Sequence, residues 1–124
     1  MPSPPPSLQR LHALVATDAE RDRAIRTAIA GRRLIGFAYH GLARVAEPHD
    51  YGVRKGALQV LIRPVLRDGQ PCAAGDWRTV LLAGMDGLQP LPTDFPGGAP
   101  TASRPQVQWD LLILRVAPAR RRRS

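Results

Sequence analysis

The feature that most constrains the fold is a succession of short segments with β-strand character, each followed within four residues by a glycine or a proline. Five follow one another, at residues 34–40, 43–47, 57–65, 77–82 and 88–91. The first alternates large side chains (Ile35, Phe37 and Tyr39) with small ones, which places the large ones on one face. Pro48 is expected to end the second, with a turn-rich loop at 51–56. The pattern predicts a mainly β fold, a small Sm-like bent antiparallel barrel of about five strands.

One helix is predicted to precede these strands. Thr17 and Glu20 have the spacing of a capping box, and Gly31 is a suitable C-terminal cap. Apolar residues between them recur at helical spacing and predict that the helix 18–30 packs on the sheet. They are Ala24, Ile25, Ala28 and Ile29. Residues 1–16 begin with a proline-rich stretch, and 8–16 could form a short helix, so this segment is expected to be flexible or loosely docked.

Three further segments follow the predicted domain at 17–95. Residues 96–105 have the proline and glycine content of a linker. Residues 106–116 are too apolar for an exposed tail, so they are predicted to form an added β-strand that completes the domain or joins a homodimer. Residues 117–124 form a basic tail, in which Arg120, Arg121, Arg122 and Arg123 would strengthen contacts with nucleic acid electrostatically.

Charge and cysteine content restrict the functional classes. The formal net charge of +8 favours anionic partners. A single cysteine, Cys72, excludes an internal disulfide and a cysteine-cluster metal site. No apolar run reaches the ~20 residues that span a bilayer, and the first residues lack a signal-peptide pattern, so a soluble, cytoplasmic protein is expected. No catalytic constellation, metal site or cofactor motif is found, which predicts a non-enzymatic protein without cofactors.

The order of several short motifs suggests a family. They are Tyr39, Arg44, Glu47-Pro48-His49, Gly52, Lys55-Gly56, Trp77-Arg78 and Asp86-Gly87-Leu88. This succession after a helix resembles the WYL domain, a small bacterial regulatory module usually attached to DNA-binding proteins. The Trp-Tyr-Leu triplet is replaced by Leu58-Gln59-Val60, and Gly84 stands where the family usually has an arginine. The chain is therefore similar to a stand-alone, divergent WYL domain.

The resemblance implies a shallow basic and aromatic groove that binds a negatively charged ligand. By position, Tyr39, His40 and Arg44 correspond to groove residues, and Arg63 and Arg78 are basic candidates nearby. It implies a regulatory or ligand-sensing module that binds single-stranded nucleic acid or a nucleotide. Because the chain has no room for a winged-helix domain, a role in transcription regulation would require a DNA-binding partner protein.

Alternative interpretations remain for each candidate. Tyr39 could be a core residue in line with the apolar face of its strand, and Arg44 could pair with Glu47. Trp77 is more typical of the barrel core than of a stacking surface. The alternative function is a structural interaction or oligomerisation module whose groove has degenerated.

Overall fold

The computed structural model describes residues 6–98 and 104–119. These ranges form a mainly β fold with two helices and seven strands. The helices are α1 (Pro6–Thr17) and α2 (Ala19–Ala30). The strands are β1 (Arg33–Tyr39), β2 (Leu42–Arg54), β3 (Ala57–Arg67), β4 (Gln70–Pro71), β5 (Arg78–Leu81), β6 (Asp86–Asp94) and β7 (Leu111–Arg115), with a 3₁₀ turn at Leu82–Gly84.

All strands belong to one antiparallel sheet that curls into a half-barrel, which confirms the predicted fold class. The sheet order is β4-β3-β2-β1-β6, while β5 pairs with β3 and β7 pairs with β2. The long strands β2 and β3 pair with each other at the centre of the sheet. Along its other edge β2 pairs with β1 and β7, and β3 likewise pairs with β4 and β5. The two central strands therefore position every other strand except β6, which pairs with β1.

Three two-residue hairpins connect successive strands. In each, both central residues have positive φ, as the tight hairpin turn that matches strand twist requires. The pairs are His40-Gly41, Lys55-Gly56 and Asp68-Gly69. The first of these turns holds the imidazole of His40 at the exposed tip of the β1–β2 hairpin.

The prediction that Pro48 ends a strand and that residues 51–56 form a loop is wrong. β2 continues through Pro48 to Arg54, and only Lys55 and Gly56 form the turn. The pairing with β3 shifts register between Pro48 and Asp50, where a missing backbone N–H is tolerated. Tyr51, assigned to the loop, is a fully buried core residue of β2.

The helix α2 packs on the sheet through the predicted stripe. Ile25, Ala28 and Ile29 are buried in the core. The N-terminal cap is Asp18 instead of Thr17, because α1 continues to Thr17, and Asp18 makes no capping hydrogen bond. It forms an ion pair with Arg21 instead. The expectation of a single helix is therefore corrected by α1, whose Leu11, Leu14 and Val15 pack against the core.

A buried polar contact connects α2 to β2. The hydroxyl of Tyr51 donates a hydrogen bond to Asp22 at 2.7 Å, and Arg26 binds the same carboxylate through Nε at 3.0 Å. Burial raises the pKa of Tyr51 above its usual range, and the adjacent Asp22 raises it further. The tyrosine therefore stays a neutral hydrogen-bond donor at this contact.

The C-terminal strand completes the same sheet, although it is shorter than the predicted 106–116. β7 pairs with the second half of β2, while residues 106–110 form no strand. Gly52 permits this close approach, since a Cβ there would overlap the carbonyl of Leu111 and lie 2.9 Å from Cε3 of Trp109. Buried Asp50 forms ion pairs with Arg104 and Arg115. These contacts fasten both ends of the segment 104–115 to β2.

Candidate functional site

A cleft lies between the β1–β2 hairpin and β5, which do not pair with each other. Its volume is about 300 Å³. Residues from both sides line it: Tyr39, His40, Arg44, Arg78, Thr79 and Val80. The cleft exists because β5 pairs only with β3, which leaves a gap that the curled sheet does not close with backbone hydrogen bonds.

Tyr39 forms the aromatic part of the cleft. Its ring contacts the rings of Phe37 and His40 edge to face, with centroid distances of 6.5 and 4.4 Å. Its hydroxyl accepts a hydrogen bond from the backbone N–H of Leu81 at 3.4 Å. Tyr39 is half-buried, so the ring both extends the core and presents a surface to the cleft.

Gly84 makes room for this ring. A Cβ at Gly84 would lie 2.6 Å from Cε2 of Tyr39, closer than real contacts of this kind. At position 84, where the resemblance would imply an arginine, the edge of the Tyr39 ring occupies the space that a side chain would need.

Arg44 supplies a cation without a carboxylate partner in the described part of the chain. Its guanidinium lies 5.6 Å from the centroid of the Tyr39 ring, within the range of a cation–π contact. Nε and Nη2 donate to the carbonyl oxygen of Tyr39 at 3.3 and 3.2 Å. Pairing with Glu47, the alternative interpretation, is not observed, because Glu47 contacts His49 and Arg63. The positive charge of Arg44 is therefore available to a ligand.

The opposite side of the cleft carries the second cation. Arg78 is about half exposed and lies 3.5 Å from a carboxylate oxygen of Asp76, which partly neutralises it. Such an exposed ion pair contributes little to stability and is easily exchanged for another anion. The two arginines and His40 make the cleft a basic, open site.

Two other groups of predicted site residues do not line this cleft. Arg63 lies directly opposite Glu47 in the β2–β3 ladder and forms an ion pair with it at 3.9 Å. Glu47 also contacts buried His49 at 3.0 Å, beneath the ring of Trp77. Arg63 therefore has a cross-strand partner. The residues Arg120, Arg121, Arg122 and Arg123 lie outside the described part of the chain.

Sequence reasoning missed one arginine beside the cleft. Arg67 lies directly opposite Arg44 in the β2–β3 ladder, and both line a narrow slot of about 30 Å³ that adjoins the cleft. The hairpin turn at Lys55-Gly56 was the signal that could have identified it. Counted outward from that turn, Arg44 and Arg67 are equally distant, and the two register shifts between them cancel.

Among the described residues, no group of three or more His, Cys, Asp or Glu side chains is arranged to hold a metal ion. Neither described helix is long and apolar enough to cross a membrane.

Comparison with known proteins identifies no relative from which a function could be transferred. No family model, curated protein or solved structure matches the chain. Functional inference therefore depends on the residues of the cleft.

Proposed function

We propose that this protein is a non-enzymatic regulatory or ligand-sensing module that binds an anionic ligand, a single-stranded nucleic acid or a nucleotide, in the cleft. One observation carries the proposal. Of the five residues that the sequence indicated as ligand contacts, four line the same cleft: Tyr39, His40, Arg44 and Arg78. They come from two distant parts of the chain, so the curled sheet is needed to bring them together.

The chemistry of the cleft suits a nucleotide unit. Arginines form charge-assisted, often bidentate hydrogen bonds with phosphate oxygens, and neither Arg44 nor Arg78 is buried against a fixed counter-charge. Tyr39 and His40 are aromatic groups at an open surface, where a base can stack. The net charge of +8 would raise the local concentration of a polyanion.

The regulatory part of the proposal depends on the resemblance of the sequence to WYL domains. We propose that the module acts in the cytoplasm, and that it affects transcription together with a DNA-binding partner protein.

Titration with fluorescent hexathymidylate at low salt tests this function. We expect Arg44→Ala to weaken binding by about 1–3 kcal/mol, as the loss of a charge-assisted phosphate contact would. Arg23→Ala is the matched control, because Arg23 is an exposed arginine of α2, remote from the cleft in sequence. Equal weakening by the two variants, or no binding by the wild-type protein, would contradict the proposal.

His40→Asn provides a second test that leaves the hairpin intact. Asparagine tolerates the positive φ of 51° at this position better than most residues, so the turn should be kept while the imidazole is removed. We expect weaker binding with an unchanged melting temperature. Unchanged affinity would remove His40 from the site.

The alternative function, an interaction or oligomerisation module, is favoured by one feature. Leu111 and Leu112 of β7 are 43% and 39% exposed, and within the described residues β7 pairs only with β2. An apolar strand at a sheet edge can pair with another chain. Light scattering with size-exclusion chromatography would detect a homodimer, and Leu112→Lys should convert it to a monomer if this edge is responsible.

A further inference from the structure

The slot beside the cleft is surrounded by an excess of positive charge. Arg44, Arg67 and Arg78 line it, against the single carboxylate of Asp76. Arg44 and Arg67 lie directly opposite each other on neighbouring strands. Like charges in that position repel, and neither arginine forms an ion pair with any other described residue. An anion placed between them would turn this repulsion into attraction.

The charge changes sign on the far side of Arg67. A wider hollow of about 430 Å³ begins there, and its charged residues are Arg67, Asp68 and Asp76. Its two carboxylates would repel a phosphate. The surface is therefore basic in the cleft and at the slot, where three arginines meet, and acidic in the hollow beyond it. A continuous polyanion that crossed the slot would have to place its next phosphate against Asp68 and Asp76.

We infer that the slot binds a terminal phosphate group, the phosphomonoester end of a nucleotide or of a nucleic-acid strand, with the adjoining base in the cleft against Tyr39 and His40. This inference rests on the proposed function and adds to it the class of ligand end and a further binding residue, Arg67. A phosphomonoester has a charge of about −1.5 to −2 and three free acceptor oxygens, whereas an internal phosphodiester has a single charge and must continue in both directions. The three arginines suit a phosphomonoester, and the carboxylates of the hollow disfavour an internal phosphodiester.

Cys72 offers an independent readout of occupancy. It is the only cysteine of the chain, and it lines both the slot and the hollow. A phosphate bound in the slot should hinder the approach of an alkylating reagent to its thiol. Labelling at this residue therefore reports on the slot and the adjoining hollow, whereas a binding titration reports on the whole ligand.

The experiment compares three hexathymidylates that differ only at their ends: unphosphorylated, 5′-phosphorylated and 3′-phosphorylated. We expect one of the phosphorylated forms to bind the wild-type protein at least tenfold more tightly than the unphosphorylated form, and to slow alkylation of Cys72. Arg67→Gln should reduce that preference to about onefold. Arg23→Gln removes the same charge from α2 and should preserve it. Thymidine 5′-monophosphate should compete where thymidine does not.

The possible failures are distinguishable. If all three oligonucleotides bind equally and Arg44→Ala still weakens them, the terminal-phosphate inference is overturned and the proposed function stands. If Arg67→Gln keeps the end preference, the phosphate binds elsewhere and the slot is excluded. If none of the oligonucleotides binds, both the inference and the proposed function are overturned.

Discussion

The two halves of β2 use arginine in opposite ways. In its second half, buried Asp50 meets Arg104 and Arg115, and these ion pairs hold the C-terminal segment on the sheet. In its first half, Arg44 faces Arg67 with no carboxylate between them. The same residue type is therefore structural at one end of a strand and available for binding at the other. The difference is the presence or absence of a buried counter-charge.

The two regions also differ in what packs against a glycine. Gly52 admits the backbone of β7, so the chain itself occupies the space above the second half of β2. Gly84 admits only the ring edge of Tyr39, and the adjoining cleft stays open. At Gly52 a strand covers the surface, whereas at Gly84 a side chain lies beside a cleft that stays open.

The largest expected effect is the loss of the buried carboxylate. Asp50→Asn would leave Arg104, whose side chain is 11% exposed, without its counter-charge, and we expect destabilisation by about 3 kcal/mol. Arg44→Gln in the cleft should change the unfolding free energy by less than about 1 kcal/mol, because its contacts are exposed or weak. Urea unfolding of both variants measures the contrast, and similar losses would refute it.

A somewhat smaller loss of stability is expected where β7 pairs closely with β2 at Gly52. Gly52→Ala places a methyl group against the carbonyl of Leu111 and the ring of Trp109, so β7 must shift, at an expected loss of about 2 kcal/mol. Gly36→Ala is the matched control in β1, since the nearest atom there is the flexible end of Leu91 at 3.2 Å. Thermal unfolding distinguishes the two, and equal melting temperatures would show that β7 is not held this closely.

Acid should weaken the Asp50 region. Burial raises the pKa of Asp50, but hydrogen bonds and charges from Arg115 and Arg104 outweigh it and hold the pKa below its usual range. The ion pairs therefore contribute fully above the unfolded-state pKa of about 4, and the contribution fades as the pH falls towards the folded-state value. The stability difference between wild type and Asp50→Asn should shrink from pH 7 to pH 3. A constant difference across that range would contradict the sign of the shift.

The smallest effect is a gain in stability. Arg67→Glu replaces a like-charge pair across β2 and β3 by an opposite-charge pair with Arg44, which should stabilise the protein by ~0.2–1 kcal/mol in the absence of ligand. The same change should weaken oligonucleotide binding. A variant that binds normally, or that is less stable than wild type, would show that the Arg44–Arg67 repulsion is not a feature of the binding site.

Local patterns predicted much of the fold. The apolar stripe of α2 at Ile25, Ala28 and Ile29 and the alternation of Ile35 and Phe37 in β1 depend on neighbouring residues, and they lie where the sequence placed them. The continuation of β2 past Pro48 was missed because a proline is compatible with a strand only at an edge or a register shift, and that shift arises from pairing with β3.

The candidate site, like the fold, was predicted only in part from the sequence. The resemblance to WYL domains indicated Tyr39, His40 and Arg44, which lie around one hairpin turn, whereas the meeting of Arg44 with Arg78 depends on the curl of the whole sheet. Which arginines keep an available charge could not be predicted, because an ion pair is decided by residues distant in the chain: Arg63 meets Glu47, and Arg115 meets Asp50. By itself, the sequence determined the apolar face of α2, the alternating faces of β1 and the sign of the charge, since these follow from adjacent residues. Only the tertiary structure decided where that charge is neutralised and where it is open to a ligand, because neutralisation requires two distant groups to meet within ion-pair distance.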